Sequence, residues 1–118
     1  MPLPYSLVAL DLDGTLIGKD LTISARAKKV VAELQQAGVK VTVATGRMFR
    51  TSCGYAREMN VHVPIICYQG SLIGDPDTET VLWHQPVPLE LARQAIIAVR
   101  ETGLHLNLYV DDNLYVEQ

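Results

Sequence analysis

Two aspartates, Asp11 and Asp13, stand one leucine apart behind a run of four apolar residues, Leu7 to Leu10, and are followed by Gly14 and Thr15. One acid of such a pair can act as a nucleophile or as a ligand to a hard cation, while the other moves a proton to or from a leaving oxygen. The plain alternative is two solvated acids at a strand end, since Asp-x-Asp alone is a weak signal. Further along, Thr45, Gly46 and Arg47 close a second apolar, β-branched run. The Thr45 hydroxyl, together with Thr15 and the amides after Asp11, can donate hydrogen bonds to an anion. Gly46 lets backbone approach closely, and the start of the next helix adds amide donors of the kind that bind phosphate. Arg47 can contact an anion directly or pair with an acid. Taken together, these groups suit the movement of a phosphoryl group.

Positioning them requires strands that end on one edge of a sheet. Leu7 to Leu10 reads as a strand buried on both faces, with the acids at its C-terminal end, where open α/β sheets place ligands. Residues two apart on a strand share a face, so Asp11 and Asp13 point the same way until the chain turns at Gly14. The polar stretch from Gly14 to Ile23, about ten residues and long for a connection, carries Leu16, Ile17 and Leu21, which predict a small flap folded against the body. Ser24 offers an N-cap to a helix whose apolar face is Val30, Val31, Leu34 and Ala37, and Gly38 is placed to end it.

Val39 to Ala44 is β-branched and predicts the second parallel strand. Phe49, Cys53, Ala56 and Met59 recur at helical spacing between Met48 and Asn60. Val63 to Tyr68, with Pro64 near its start, predicts the third strand, which stops at Gln69-Gly70. A strand, helix, strand, helix, strand series with short loops is right-handed and parallel, so the motif-bearing loops share one edge.

Beyond Gly70 the pattern changes. Leu72 and Ile73, a turn over Gly74 to Asp77 and the run Thr80 to His84 predict a hairpin. Pro86 and Pro88 mark a module boundary, giving an expected division into residues 1–85 and 86–118. Leu89 to Thr102 predicts a helix with Leu91, Ala95, Ile96 and Val99 on one face and Gly103 as its stop. Leu104, Leu106, Leu108 and Val110 alternate with His105, Asn107 and Tyr109 as in a strand with one more polar face. Asp111-Asp112-Asn113 is then a turn, and Leu114 to Val116 begins another strand.

The chain of 118 residues is 48% hydrophobic and 19% charged, ordinary values for a globular domain. A net charge of -3 with the ten Lys and Arg residues scattered gives no basic stripe, so nucleic acid is not an expected partner. Cys53 and Cys67 lack the spacing of a zinc site and read as small buried hydrophobes in a reducing compartment. No run approaches the roughly 18 apolar residues that span a bilayer, and the N-terminus lacks a signal-peptide pattern, so the expected location is the cytoplasm, without a membrane partner.

Asp11-Leu12-Asp13-Gly14-Thr15-Leu16 resembles the first motif of the haloacid dehalogenase (HAD) superfamily, and Ala44-Thr45-Gly46-Arg47 resembles its second. Ile66 to Ile73, followed by a turn and Thr80 to Trp83, is similar to the Cof-type branch of sugar phosphatases with a large α/β cap. The resemblance covers essentially the whole chain. It implies an α/β fold, here an incomplete Rossmannoid parallel sheet followed by the beginning of an α/β cap. It also implies hydrolysis of small phosphate monoesters, such as sugar phosphates or related metabolites, with Mg2+ as cofactor. Asp11 would be the nucleophile and a magnesium ligand. Asp13 would donate a proton to the leaving alkoxide and later activate water, its backbone carbonyl also ligating magnesium. Thr45, with Gly46 and Thr15, would bind the transferring phosphoryl group. Relatives often carry Asn-Gly where this chain has Gln69-Gly70, so Gln69 either keeps a substrate contact or serves the turn. The cap type follows from the short first loop, which leaves no room for a helical cap there.

The family's lysine and late acidic pair have no counterpart. Lys19, Lys28, Lys29 and Lys40 come too early, and Asp111-Asp112 lies in the cap. The expectation is therefore a fragment of a longer protein, a poor catalyst alone, with the far side of Leu7 to Leu10 unpaired and open to association. Two alternatives stand beside the phosphatase reading. One is a phosphoacceptor regulatory domain, disfavoured because the third strand ends in Gln69-Gly70 rather than an aspartate. The other is an inactive fragment with a folding or interaction role.

Overall fold

The computed structural model describes residues 3–116. They form two compact units, divided between His84 and Gln85. The first unit opens with β1 (Leu7–Leu10), α1 (Ala25–Gln36), β2 (Lys40–Val43), α2 (Phe49–Glu58) and β3 (Ile65–Cys67). β1 pairs with β2 in parallel, Leu7 opposite Lys40 through Leu10 opposite Val43. β3 joins through a parallel bridge between Ala44 and Ile66. The C-terminal ends of all three strands therefore lie on one edge, as the βαβαβ pattern predicts. This is the α/β, parallel-sheet architecture expected from the sequence.

α1 begins where the Ser24 hydroxyl oxygen accepts from the Ala27 amide at 3.1 Å, an N-cap bond that satisfies one of the helix's otherwise orphaned amides. It ends before Gly38, whose φ of 84° lies in the left-handed region that favours glycine. Val31 is buried while Val30, one position away, faces solvent; the apolar face is narrower than the sequence pattern indicates. α2 buries Phe49, Cys53 and Ala56, with Met59 following at its C-cap, which is the face expected from the spacing. These side chains join Leu12, Ile17, Ile23, Val31, Val41, Val43, Val61, Ile65, Cys67 and Leu72 in a single core.

β1 departs from expectation. It alternates exposed and half-buried residues, and Leu7 is 54% exposed. Among the described residues β1 pairs only with β2, and the face carrying Leu7 and Ala9 is exposed. An apolar strand run reports affinity for cover, and among the described residues nothing covers that face.

β3 continues through a short left-handed turn, Tyr68–Gly70, into β4 (Leu72–Asp75) and β5 (Thr80–His84), an antiparallel sheet in the order β3-β4-β5. The hairpin's turn lies after Asp75 rather than over Gly74 to Asp77, because Gly74 and Asp75 still pair with Val81 and Thr80. Gly74 is in the strand for a packing reason: a β-carbon there would overlap the Phe49 ring. Trp83 and His84 are exposed on β5.

The second unit contains α3 (Leu89–Thr102), β6 (Asn107–Val110) and β7 (Asn113–Val116). α3 starts after Pro88 and stops at Gly103, with φ 70°. Its less exposed face is Ala92, Ile96 and Val99, while Leu91 and Ala95 are exposed. β6 and β7 form a tight hairpin around Asp111 and Asp112, whose φ values of 49° and 56° give the doubly left-handed turn that matches strand twist. The strand begins only at Asn107, so Leu104 to Leu106 lead into it, and Asn113 belongs to β7 rather than to the turn. Gln118 lies outside the described residues. Among the described residues no helix is long and apolar enough to cross a membrane.

Candidate functional site

The acids sit just beyond the end of β1, in a loop fixed from below. Leu12, between them, is fully buried, whereas Asp11 and Asp13 are both exposed. Burying such a side chain contributes about 1.5–3 kcal/mol, which anchors the loop while its carboxylates stay at the surface. The Leu12 carbonyl accepts from the amides of Thr15, Leu16 and Ile17 at 3.2, 3.0 and 2.9 Å, and the Gly14 amide donates to the Ile17 carbonyl at 3.0 Å. This tight turn passes through Gly14 at φ 74°. The Thr15 hydroxyl lies 3.4 Å from an Asp11 carboxylate oxygen, a long bond that leaves both groups open to other partners.

The flap that follows is held by Ile17 and Ile23, both buried and bridged to each other. Leu16 is half-buried as expected. Leu21 is not part of the packed face: its side chain is exposed and its φ is 58°.

The end of β2 meets this loop directly. The Ala44 amide donates to the Leu10 carbonyl and the Thr45 amide to the Ile66 carbonyl, each at 2.9 Å, so Thr45 is tied between the first and third strand ends. Its side chain is buried, and its hydroxyl oxygen accepts from the Arg47 amide at 3.1 Å. That bond uses the oxygen as acceptor and leaves the hydroxyl proton to be donated.

Arg47 then reaches back to Asp13. Its Nε and Nη2 each donate to one carboxylate oxygen at 2.7 Å. This two-point grip is the geometry for which a guanidinium is suited. Arg47 holds the Asp13 carboxyl below its ordinary range, mainly through these hydrogen bonds, and Asp13 in turn raises the arginine.

The third strand end supplies Gln69. Tyr68 and Gln69 take φ values of 50° and 57°, and Gly70 follows at 95°. Consecutive left-handed residues other than glycine carry strain that the surroundings must offset. Two bonds do so: the Tyr68 amide donates to the Arg47 carbonyl at 2.9 Å and the Gln69 amide to the Thr45 carbonyl at 3.3 Å. The turn lays the Gln69 side chain against Gly46, so closely that a β-carbon at Gly46 would collide with it.

The structure thus brings Asp13 to Arg47, Asp11 to Thr15, and Gln69 to the Thr45–Gly46–Arg47 turn. The sequence left Arg47 between two roles, and here it pairs with an acid. Sequence reasoning missed Tyr55. Its ring lies under the Arg47 guanidinium, 5.3 Å from Cζ to centroid, and its hydroxyl donates to the Leu21 carbonyl at 3.0 Å. The available signal was its place on α2, two turns beyond Arg47. Among the described residues no group of three or more His, Cys, Asp or Glu side chains is gathered as for a metal; the oxygens at Asp11 and Asp13 are hard donors that fit part of a magnesium shell.

The family model for haloacid dehalogenase-like hydrolases matches residues 8–118. The chain belongs to this family. Among curated relatives, it is 34% identical over 103 residues to the Bacillus subtilis 5-amino-6-(5-phospho-D-ribitylamino)uracil phosphatase YitU, covering 86% of this chain and 38% of that protein. It is 32% identical over 111 residues to the Escherichia coli pyridoxal phosphate phosphatase YbhA, covering 94% of this chain and 41% of that protein. A crystal structure of a haloacid dehalogenase-like hydrolase from Bacteroides thetaiotaomicron superposes with a TM-score of 0.81 at 25% identity, covering 97% of this chain and 44% of the other. One from B. subtilis gives 0.84 at 22% identity, with 96% and 39% covered, a likeness of fold. This haloacid dehalogenase-like chain spans about 40% of the length of the curated relatives it matches.

Proposed function

We propose that this chain carries the nucleophile's half of a magnesium-dependent phosphatase acting on small phosphorylated metabolites. The observation that supports this reading best is the meeting of the two strand-end motifs, the Ala44 amide bonded to the Leu10 carbonyl ahead of Asp11 and Arg47 reaching across to Asp13. The names of the relatives, which specify phosphorylated small molecules for those proteins, point the same way.

In this mechanism an Asp11 carboxylate oxygen attacks phosphorus and the ester oxygen leaves, taking a proton from Asp13. An aspartyl-phosphate on Asp11 results. Water then attacks phosphorus, its proton passing to Asp13, and phosphate departs with Asp11 restored. The Thr45 hydroxyl, the Gly46 backbone and Thr15 donate to the phosphoryl oxygens, where negative charge must be held. Gln69, and Arg47 once it has left Asp13, face the rest of the substrate. Proton donation by Asp13 requires Arg47 to shift off it, and a substrate phosphate is an anion able to draw the guanidinium away. The Asp11 carboxylate and the Asp13 main-chain carbonyl would hold magnesium, which when bound offsets the repulsion between carboxylate and phosphate.

Residues 1–85 form the N-terminal part of the catalytic core in this reading, and 86–118 the beginning of an α/β cap that selects the substrate. The lysine and late acids expected of the family are sought in the remaining length that the relatives possess. The cytoplasm is the proposed compartment, in keeping with the buried thiols of Cys53 and Cys67. The test is Asp11→Asn in a full-length protein carrying this chain, assayed with p-nitrophenyl phosphate and magnesium. Turnover is expected to vanish; full activity would remove Asp11 as nucleophile.

A further inference from the structure

We propose that Tyr55 is a positioning residue for the acid loop, its ring seating the Arg47 guanidinium against Asp13 and its hydroxyl fastening the flap that follows the acids. The inference rests on the reading of Asp13 as a participant in phosphoryl transfer.

Arginine has a long, flexible stem, and an edge-on grip of a carboxylate fixes the guanidinium only within its own plane. The Tyr55 ring lies at 5.3 Å from Cζ, within cation–π range, and restrains it in the perpendicular direction. The ring is half-buried on a helix whose other face is packed into the core through Phe49, Cys53 and Ala56. It is therefore a fixed support rather than a mobile one.

The second contact runs to a different element. The Tyr55 hydroxyl donates to the Leu21 carbonyl at 3.0 Å, and the Leu21 side chain itself is exposed. Apolar packing holds the flap at Ile17 and Ile23, leaving the intervening tip to hydrogen bonds. Within the tip, the Leu21 amide donates to the Gly18 carbonyl at 3.1 Å, and Thr22 donates through its amide and hydroxyl to Asp20 at 3.2 and 2.7 Å. The bond from Tyr55 ties this self-contained turn to α2. One side chain thus links the segment that follows the acids to the cation that holds one of them.

Tyr55 touches neither reacting acid, so its influence passes through Arg47 and the flap. The test uses Tyr55→Leu and Tyr55→Phe in a full-length protein carrying this chain. The readouts are kcat and KM for p-nitrophenyl phosphate with magnesium, the Arg47 Nε–H signal in proton–nitrogen NMR, and hydrogen exchange at the Leu21 amide. Tyr55→Leu is expected to lose the Arg47 Nε–H signal to solvent exchange and, because proton donation needs Arg47 to leave Asp13, to raise kcat about two- to fivefold with KM changed less than about twofold. Tyr55→Phe keeps the ring, so it keeps that signal and a kcat near wild type while the Leu21 amide exchanges faster. Wild-type kcat and an intact Arg47 signal in Tyr55→Leu would overturn the proposal. So would Leu21 exchange unchanged in Tyr55→Phe, a measurement that stands if the leucine variant fails to fold. If wild type lacks turnover, or Asp11→Asn keeps it, the phosphatase reading fails instead, and the NMR and exchange readouts still decide the role of Tyr55.

Discussion

The side-chain amide of Gln69 fills the space that a β-carbon on Gly46 would need. Gly46 has no left-handed backbone requirement, since it is absent from the positive-φ glycines Gly14, Gly38, Gly70 and Gly103. Its smallness therefore serves the approach of Gln69 rather than the local chain path.

Gly46→Ala should accordingly change the placement of Gln69 and little else. The overlapping atoms are the far end of a flexible side chain, so stability is expected to stay within about 0.5 kcal/mol of wild type by thermal unfolding. KM for a small phosphate ester should rise, and Gln69→Ala should raise it similarly, the double variant adding nothing further. Additive effects on KM would mean that the two residues act separately.

The contact between Phe49 and Gly74 belongs to the core and behaves differently. Phe49 is buried, and its ring stands where a Gly74 side chain would be. Phe49→Ala should cost about 3–5 kcal/mol in chemical denaturation. Gly74→Ala, which forces the ring to move, should cost about 1–3 kcal/mol. Combining Gly74→Ala with Phe49→Leu should cost less than the sum of the single changes, because each makes room for the other.

Asp75 is expected to make the turn after β4 sensitive to acid. One of its carboxylate oxygens accepts from the amides of Asp77 and Thr78 at 2.8 and 3.3 Å, and these bonds lower its pKa. A carboxyl whose folded-state pKa lies below its unfolded value contributes stability above the unfolded value, about pH 4, and loses it as pH falls through the folded one. Thermal midpoints measured from neutral pH downward should therefore decline more in wild type than in Asp75→Asn, whose amide oxygen still accepts but does not titrate. Parallel curves would show that the turn does not sense acid.

Much of this was legible in the sequence because local chemistry and tertiary demand agreed. Ser24 and Gly38 bracket α1 by capping rules, and Phe49, Cys53, Ala56 and Met59 mark a core face that α2 buries. The chain order β1, α1, β2, α2, β3 then puts Asp11, Thr45 and Gln69 on one edge. Other features depended on neighbours that spacing does not reveal. Leu21, Val30 and Leu91 are apolar at plausible core positions yet exposed, because nothing packs over them among the described residues. Gly74 looks like a turn residue and is a strand residue, since the turn signal of Gly is also the signal for a close approach, here by Phe49. Arg47 could be assigned to an anion or an acid from sequence; only the fold brings Asp13 within reach. Tyr55 carried no motif at all, and its relevance arises from the helix that carries it past Arg47 and the flap.

Leu12 has a practical consequence. Because the buried leucine and its carbonyl hold the loop, while the neighbouring carboxylates project outward, either acid can be exchanged for its amide without disturbing the core. If the proposed function holds, a full-length protein silenced at Asp11 in this way could serve as bait for a phosphorylated ligand in a cell extract, identified by mass spectrometry.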